Sequence, residues 1–247
     1  MSLQDQIRIY KRQAEWTSPM RRELYRRVRL ASRKSVLDVG CGEGTITREM
    51  AGICKGEVQG VDLDPQMIAS ARDQPGTASF SIGDAHALDF RKSAFDLVAC
   101  HWLLLWLKKP EAALQEFRRV LKPDGTLLVA CEPDFKGRMV FPESAALYQE
   151  IISALKSRGA DPLMGRKIPG LLNDAGFKAT SGLYPGLWDS GVNRDFLETE
   201  IDWLETLLSG RMEKSELDQA LLMIRQAHSN KKLLIHTPIF WAIAQPS

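Results

Sequence analysis

Residues 36–44 read VLDVGCGEG, an apolar strand pattern that runs directly into a turn with three glycines. A helical pattern that contains Ile46 and Met50 follows the turn. Glycines at such a turn let the backbone approach a ligand closely at a helix N-terminus, where free N–H groups point outward. The stretch therefore predicts a strand, a ligand-binding turn and a helix. Taken alone, this pattern of glycines also occurs in dinucleotide-binding folds.

Short β-rich runs alternate with helical patterns through the first two-thirds of the chain. This alternation is typical of a parallel sheet with helices on both faces, an α/β fold. The near-continuous apolar character of the runs suits strands that are covered on both sides. The predicted strands are residues 35–39, 57–62, 77–82, 95–100, 126–131, 177–184 and 237–244.

Length and charge limit the classes of protein that this chain can be. With 247 residues it can bury a full core, and its formal net charge of +2 does not favour a dedicated nucleic-acid binder. The first 35 residues hold ten basic residues against three acidic ones, so the remaining chain is acidic. We interpret the basic segment as a solvated helix face, with attraction of an anionic substrate as the alternative.

The cysteines and histidines form no metal-binding pattern. Cys41, Cys54, Cys100 and Cys131 have neither CxxC nor zinc spacing, and the four histidines form no HExxH motif. We therefore expect no metal, and reduced thiols in a cytoplasmic protein. The apolar stretches 97–107 and 233–247 are too short for a membrane span, and the polar amino-terminal residues are not typical of a signal peptide.

Two aspartates follow consecutive predicted strands. Asp62 lies 22 residues after Gly40, at the end of the second strand, where a carboxylate can accept hydrogen bonds from both hydroxyls of a ribose. Asp84 follows the third strand and can accept from an adenine amino group. The alternative is that both are ordinary turn formers. Their joint placement favours a nucleoside site at the carboxyl edge of the sheet.

Five segments together resemble the class I S-adenosylmethionine-dependent methyltransferases. They are VLDVGCGEG (36–44), GVDLDPQM (60–67), GDAHALDF (83–90), FDLVAC (95–100) and RVLKPDGTLLVA (119–130). Within that family the chain is most similar to the small-molecule enzymes of ubiquinone and menaquinone biosynthesis. The resemblance implies a Rossmann-like, seven-stranded, mostly parallel sheet with an antiparallel last strand. It also implies methyl transfer from S-adenosylmethionine to a small-molecule acceptor.

The resemblance also assigns cofactor contacts by position. Gly40 and Gly42 would contact the methionine portion, with Asp38 supporting its amino group. Asp62 would bind the ribose and Asp84 the adenine. The flanking contacts that it implies are Leu63 by packing, Ala85 through its backbone N–H, and Cys100.

The acceptor side is less clearly marked. His101 follows the fourth strand and is a candidate base for a hydroxyl nucleophile, with a wall or cofactor contact as the alternative. Trp102 and Trp106 are candidates for the substrate wall or for helix core. Further substrate candidates in regions where the family varies are Glu132, Arg166, Tyr184 and Trp188.

The resemblance divides one domain into three parts. Residues 1–34 would form a helical lid, 35–131 the cofactor-binding core, and 132–247 the remaining strands with helical substrate cover. Tyr10 and Trp16 would then roof the cofactor, although an ordinary surface helix explains the pattern equally well.

Two other functions remain open at this point. A nicotinamide-dependent oxidoreductase would show G-x-G-x-x-G, whereas position 45 is threonine. A noncatalytic S-adenosylmethionine-binding regulator would keep the cofactor motif, because binding and turnover use different residues. Nucleic acid is not favoured as a substrate, since no Asn/Asp-Pro-Pro-Tyr sequence follows the fourth strand.

Overall fold

A computed structural model describes residues 3–189 and 194–247 of the chain. Within these residues a single mixed sheet is flanked by helices. The strands are β1 Ser35–Val39, β2 Glu57–Asp62, β3 Ser79–Ile82, β4 Phe95–Cys100, β5 Leu121–Pro133, β6 Met139–Phe141, β7 Phe177–Asp189 and β8 Leu234–Pro246. The helices are α1 Leu3–Arg27, α2 Thr45–Ile53, α3 Pro65–Arg72, α4 Pro110–Val120, α5 Ala145–Ser157, α6 Met164–Asp174, α7 Arg194–Leu208 and α8 Lys214–Ser229.

The strand order is β3-β2-β1-β4-β5-β8-β6, with β7 paired to β8. The first five strands pair in parallel, and β8 is antiparallel to its neighbours. The chain runs outward from β1 to β3 and then returns to place β4 on the other side of β1. Ligands of open α/β sheets bind at such a switch point, beyond the carboxyl ends of the strands. The topology therefore places the turns after β1, β2 and β4 around one crevice.

The predicted mostly parallel sheet with an antiparallel last strand is confirmed, but the predicted count of seven strands is too low. The described residues form eight, because the three-residue strand β6 pairs with the start of β8 through Phe141 and Leu234. A run of three residues is too short to show strand periodicity. Strands β7 and β8 also extend beyond their predicted bounds, since they pair with each other over 13 residues.

The two faces of the sheet bury separate apolar clusters. Leu37 and Val98 point into the larger cluster with α4 to α8, whereas Val36 and Leu97 point into a smaller one with α1 and α2. Each fully buried leucine or valine contributes about 1.5–3 kcal/mol. This two-sided burial holds the strand ends in fixed register at the crevice. No helix in the described parts of the chain is long and apolar enough to cross a membrane.

Candidate active site

The turn between β1 and α2 holds its glycines in left-handed conformations. Gly40 has φ +74° and Gly42 has φ +54°. The N–H groups of Gly40 and Cys41 both donate to the Val61 carbonyl, at 2.8 and 3.0 Å. A Cβ on Gly40 would lie 2.7 Å from Leu103 Cδ1, closer than side chains pack. Position 40 therefore requires glycine for both its backbone angle and its space.

Asp62 ends β2 and holds the same turn from the other side. Its Oδ2 accepts from the Gly42 N–H at 2.8 Å, and its Oδ1 accepts from the Asp64 N–H at 2.9 Å. A carboxylate has about four acceptor sites, so each oxygen keeps a further lone pair. Asp62 also lines the main cavity. This arrangement fits a group that orders the turn and also accepts from ligand hydroxyls.

Asp38 lies at the base of the crevice and is almost wholly buried. Its Oδ2 accepts from the Thr47 hydroxyl at 2.6 Å. Burial raises the pKa of Asp38 to about 7, although the Thr47 hydrogen bond opposes this shift. A nearby cationic amino group would favour its ionised form. Asp38 is therefore suited to interact with an ammonium group above the turn.

The glycine turn opens into a cavity of about 460 Å³. This volume lies in the range of small-molecule sites. The wall combines the turns after β1, β2 and β4 with Phe135 after β5, and with α1, α5 and α7. The predicted site residues that line it are Tyr10, Asp38, Gly40, Gly42, Asp62, His101, Trp102 and Trp106.

Helix α1 forms one wall of the cavity. Tyr10 lines it, and a Cβ on Gly42 would lie 3.6 Å from Tyr10 Cδ2. The Tyr10 hydroxyl accepts from Gln6 Nε2 at 2.8 Å, and burial raises the pKa of the phenol, which stays neutral. Further along, Arg21 is buried and pairs with Glu49 of α2 at 2.5 Å. The helix is thus anchored in its second half and covers the glycine turn with its first half.

His101 is a neutral group in the cavity wall. Burial, and then the charge of Arg21, lower the pKa of His101 well below its ordinary value. Its Nε2 lies 3.1 Å from the Thr17 hydroxyl, which donates its proton to the Gln13 carbonyl at 2.6 Å. We infer that Nε2 carries the imidazole proton and donates to Thr17. Because its pKa is low, the ring is a weak base, which argues against proton abstraction. The predicted role of His101 as a base stays a prediction.

Trp102 has a strained backbone two residues after the end of β4. Its φ of +53° is rare for a large residue, and its N–H donates to the Cys131 carbonyl at 2.9 Å. The Trp102 ring makes an edge contact with Phe135 at 6.0 Å, and Phe135 stacks on Trp203 at 5.6 Å. We name these three residues the aromatic wall. All of them line the main cavity.

Glu132 positions the segment that carries this wall. It is fully buried and accepts from the N–H groups of Leu103, Leu104 and Leu105 at 2.8, 2.7 and 3.4 Å. Glu132 does not line the cavity. The structure therefore places this predicted substrate contact behind the site, where it holds Leu103 against Gly40.

The stability of the protein is expected to depend on pH through Glu132. Burial raises the pKa of Glu132 to about 7 from its ordinary value of 4.5. Between these two pKa values the folded chain binds more protons than the unfolded chain. The contribution of Glu132 to the free energy of unfolding is therefore lost as pH rises through 7. Glutamine does not titrate. We expect the difference in Tm, wild type minus Glu132→Gln, to decrease from pH 5 to pH 8 in thermal melts. A difference that stays constant over this range would contradict the raised pKa of Glu132.

Several predicted cofactor contacts lie outside the described cavity. Leu63 is 67% exposed, and Ala85 and Cys100 are buried in the protein. The Asp84 carboxylate accepts from the backbone N–H of His86 at 2.9 Å and lies 2.8 Å from its Nδ1. These backbone and ring contacts lower the pKa of Asp84. Contacts of these four residues with the cofactor remain predictions.

The other predicted lid and substrate residues are dispersed. Trp16 lines a small side cavity of about 40 Å³ and meets Trp102 edge-on at 6.2 Å. Arg166 is paired with the buried Asp134, and the Tyr184 hydroxyl donates to the Met20 carbonyl at 3.4 Å. Neither lines the main cavity. Trp188 lies in β7, and its side chain is outside the described part of the structure.

The end of the cavity at the aromatic wall also contains residues that the sequence did not reveal. Phe135 had one available signal, because it lies two residues after the end of β5. The rest stand on α5 or α7, or at the end of α5, where no local motif marks them. The missed residues at this end are Phe135, Leu155, Arg158, Trp203, Thr206 and Leu207.

The sheet order, the glycine turn and the acid at the end of β2 define a class I, S-adenosylmethionine-dependent methyltransferase fold. Residues 37–129 match the model of the methyltransferase domain family. The resemblance seen in the sequence is thereby confirmed.

Curated relatives share part of the chain. An uncharacterized methyltransferase of Schizosaccharomyces pombe is 31% identical over 179 residues, which are 66% of this chain and 64% of that protein. The demethylmenaquinone methyltransferase of Chlorobaculum parvum is 34% identical over 90 residues, 36% of this chain and 37% of that protein. The chain therefore spans less than two thirds of the length of these relatives.

A solved structure extends the likeness to nearly the whole chain. A Bacillus halodurans protein assigned as a methyltransferase has a TM-score of 0.65 and covers 92% of this chain and 99% of its own. Its sequence identity is 20%, so it shows the shared fold alone. The helices after β5 thus belong to the same architecture as the glycine turn.

Proposed function

We propose that this chain binds S-adenosylmethionine and transfers its methyl group to a small-molecule acceptor. The observation that carries the proposal is the single cavity that runs from the glycine turn and Asp62 to the aromatic wall. One end has the groups that a nucleoside and an amino acid need. The other end has the apolar surface that an organic acceptor needs.

The residues at the first end fit the cofactor. Gly40 and Gly42 place no side chain of their own between the turn and a ligand. Asp62 keeps lone pairs for ribose hydroxyls, and Asp38 can face the amino group of the methionine portion. The fit rests on donor and acceptor chemistry that the described side chains already present.

The residues at the second end would orient the acceptor and exclude water. When bound, the cofactor supplies a methyl group that is already activated on a sulfonium, so alignment contributes more than acid–base chemistry. The rings of Trp102, Phe135 and Trp203 give this end a rigid apolar surface. Aromatic faces also attract a sulfonium charge. Helix α1 would close the cavity, as the proposed lid within residues 1–34.

We expect His101 to act as a wall residue and not as the base. Because its pKa is well below the ordinary value, His101→Gln should lower kcat less than tenfold and leave the pH profile of kcat unchanged. Loss of a general base costs about 10²–10⁴-fold. Steady-state kinetics between pH 5.5 and 9 with the identified acceptor measures both. A hundredfold loss of kcat with unchanged cofactor binding would establish His101 as the base.

Two measurements test the proposed function. Calorimetry with S-adenosylmethionine, S-adenosylhomocysteine and NADH should show binding of the first two alone; binding of NADH alone would reject the proposal. A labelled-methyl screen over metabolite pools should then yield a methylated product. Cofactor binding with no product from any pool would instead indicate a noncatalytic binding protein.

We further propose a cytoplasmic location and the three-part division into residues 1–34, 35–131 and 132–247. The four cysteines are buried and unpaired, which supports a reducing compartment. The division is supported by the positions of the cavity residues, since α1 covers the glycine turn and α5 and α7 cover the acceptor end.

A further inference from the structure

The acceptor end of the cavity differs in charge from the cofactor end. The acids among the described lining residues are Asp38, Glu43 and Asp62, all in or beside the glycine turn. Two further acids near the aromatic wall are engaged elsewhere: Glu132 accepts from three backbone N–H groups, and Glu200 pairs with Arg138. A cationic acceptor would therefore find no described carboxylate in the wall at this end.

Arg158 is the basic residue among the described residues that line the main cavity. It follows α5, lines the main cavity and is exposed. Its Nη2 donates to the carbonyls of Thr206 and Leu207, at 3.0 and 3.2 Å, near the C-terminus of α7. Its Nε and Nη1 make no hydrogen bond to the residues that the structure describes. The guanidinium is therefore held in place through Nη2, and its Nε and Nη1 donors are available to a ligand.

The aromatic wall complements this cation with flat apolar surface. Phe135 and Trp203 stack with their planes 15° apart, and Trp102 stands at 80° to Phe135. Arg138 lies over the Trp203 ring, with its guanidinium carbon 5.9 Å from the ring centre. That contact already supplies a cation to Trp203. The remaining surface suits a planar, uncharged body.

We propose that the methyl acceptor is a planar, largely apolar molecule with an anionic group, and that Arg158 binds that group while the aromatic wall holds the planar part. The proposal rests on the proposed function, since it names the acceptor class of the same site. A guanidinium held on one edge presents its other N–H groups to a carboxylate or phosphate, which it can bind in bidentate geometry. Both groups share this chemistry.

The test measures acceptor binding apart from turnover. Tryptophan fluorescence, with S-adenosylhomocysteine present, follows titrations with 4-hydroxybenzoate, its neutral methyl ester, phenyl phosphate and the cationic tyramine. We expect an anionic probe to bind at least tenfold more tightly than the ester and the cation. The carboxylate and phosphate probes show which anion is preferred. Equal binding of anionic and neutral probes, or no binding of any anionic probe, would overturn the proposal.

Substitutions at Arg158 show whether this residue recognises the anion or only supports the end of α7. Arg158→Gln should remove the preference for the anion, and Arg158→Lys should restore part of it. Arg211→Gln is the matched control, because Arg211 also joins this region to α5, through Ser157 at 3.0 Å and Ser153 at 2.8 Å, but does not line the cavity. If all variants keep the wild-type preference, Arg158 is only a helix-end contact and the proposal fails.

The same experiment keeps the two proposals apart. Calorimetry with S-adenosylhomocysteine alone measures the cofactor site, which lies at the other end of the cavity from Arg158. Normal cofactor binding in wild type with no anion preference refutes the acceptor class alone. Absence of cofactor binding in wild type refutes the proposed function, and the acceptor class with it.

Discussion

Asp62→Ala should raise the dissociation constant for S-adenosylmethionine by at least tenfold, and by up to about a hundredfold. A hydrogen bond to a charged group contributes about 1.5–3 kcal/mol, and 1.4 kcal/mol corresponds to tenfold in affinity. The substitution removes the proposed ribose acceptor. It also removes the hydrogen bond that the Gly42 N–H donates to Asp62 Oδ2 at 2.8 Å, so the turn itself loses order. Isothermal titration calorimetry measures the change directly.

Asp64→Ala is the matched control for this experiment. It removes a neighbouring negative charge, and it also removes the cap of α3, where Asp64 Oδ1 accepts from Gln66 at 2.8 Å and Met67 at 3.4 Å. Asp64 does not line the cavity. We expect a loss of stability of about 1 kcal/mol with nearly unchanged affinity. If Asp62→Ala and Asp64→Ala weaken binding equally, the effect is one of charge, and the ribose assignment is wrong.

Gly40→Ala is expected to impair both folding stability and cofactor binding. The left-handed conformation costs a non-glycine residue roughly 1–2 kcal/mol, and overpacking typically adds about 1–3 kcal/mol. The added Cβ would lie 2.7 Å from Leu103 Cδ1, and Glu132 holds the Leu103 backbone in place. At about 2–4 °C per kcal/mol, Tm should fall by about 4–20 °C. Affinity for S-adenosylmethionine should fall by more than tenfold.

A second-site substitution tests the cause of this effect. A Leu103→Ala background removes the contacts of Cδ1 at 2.7 Å and Cγ at 3.2 Å and leaves only the Cβ of residue 103, at 3.3 Å. Gly40→Ala should then cost little more than the strain of its left-handed backbone. Gly52→Ala is the control, because Gly52 lies in α2 and a Cβ there meets nothing within 4 Å. It should stabilise the protein by about 0.5–1 kcal/mol. Equal costs of Gly40→Ala in both backgrounds would show that Leu103 does not limit position 40.

The cofactor end was predictable because its residues sit beside their own strand signals. Gly40 follows β1 and Asp62 ends β2, two strands whose apolar runs are visible in the sequence, and the carboxyl ends of parallel strands meet at one edge. Asp84 has the same placement, yet its carboxylate is bound by His86 and lies outside the described cavity. Position along a strand thus predicts the edge of the sheet but not the partner of each side chain.

The acceptor end was not predictable in this way. Arg158 lies 114 residues after Gly44 and Trp203 lies 159 residues after it, at the end of α5 and in α7. They line the cavity because α5 and α7 pack on each other. Glu132 shows the reverse error. Its place after the predicted fifth strand suggested a substrate contact, whereas the structure buries it, and it accepts hydrogen bonds from three backbone N–H groups.

The sequence by itself determined the α/β class, the glycine turn, the acid at the end of β2 and the family, because these depend on short-range periodicity and on residues adjacent to their strands. The tertiary structure alone decided which side chains form the acceptor end. That choice depends on how helices distant in the chain pack across the sheet. The proposed cofactor contacts at the glycine turn are therefore specified locally. Arg158 and the aromatic wall acquire their place only when the helices after β5 cover the cavity.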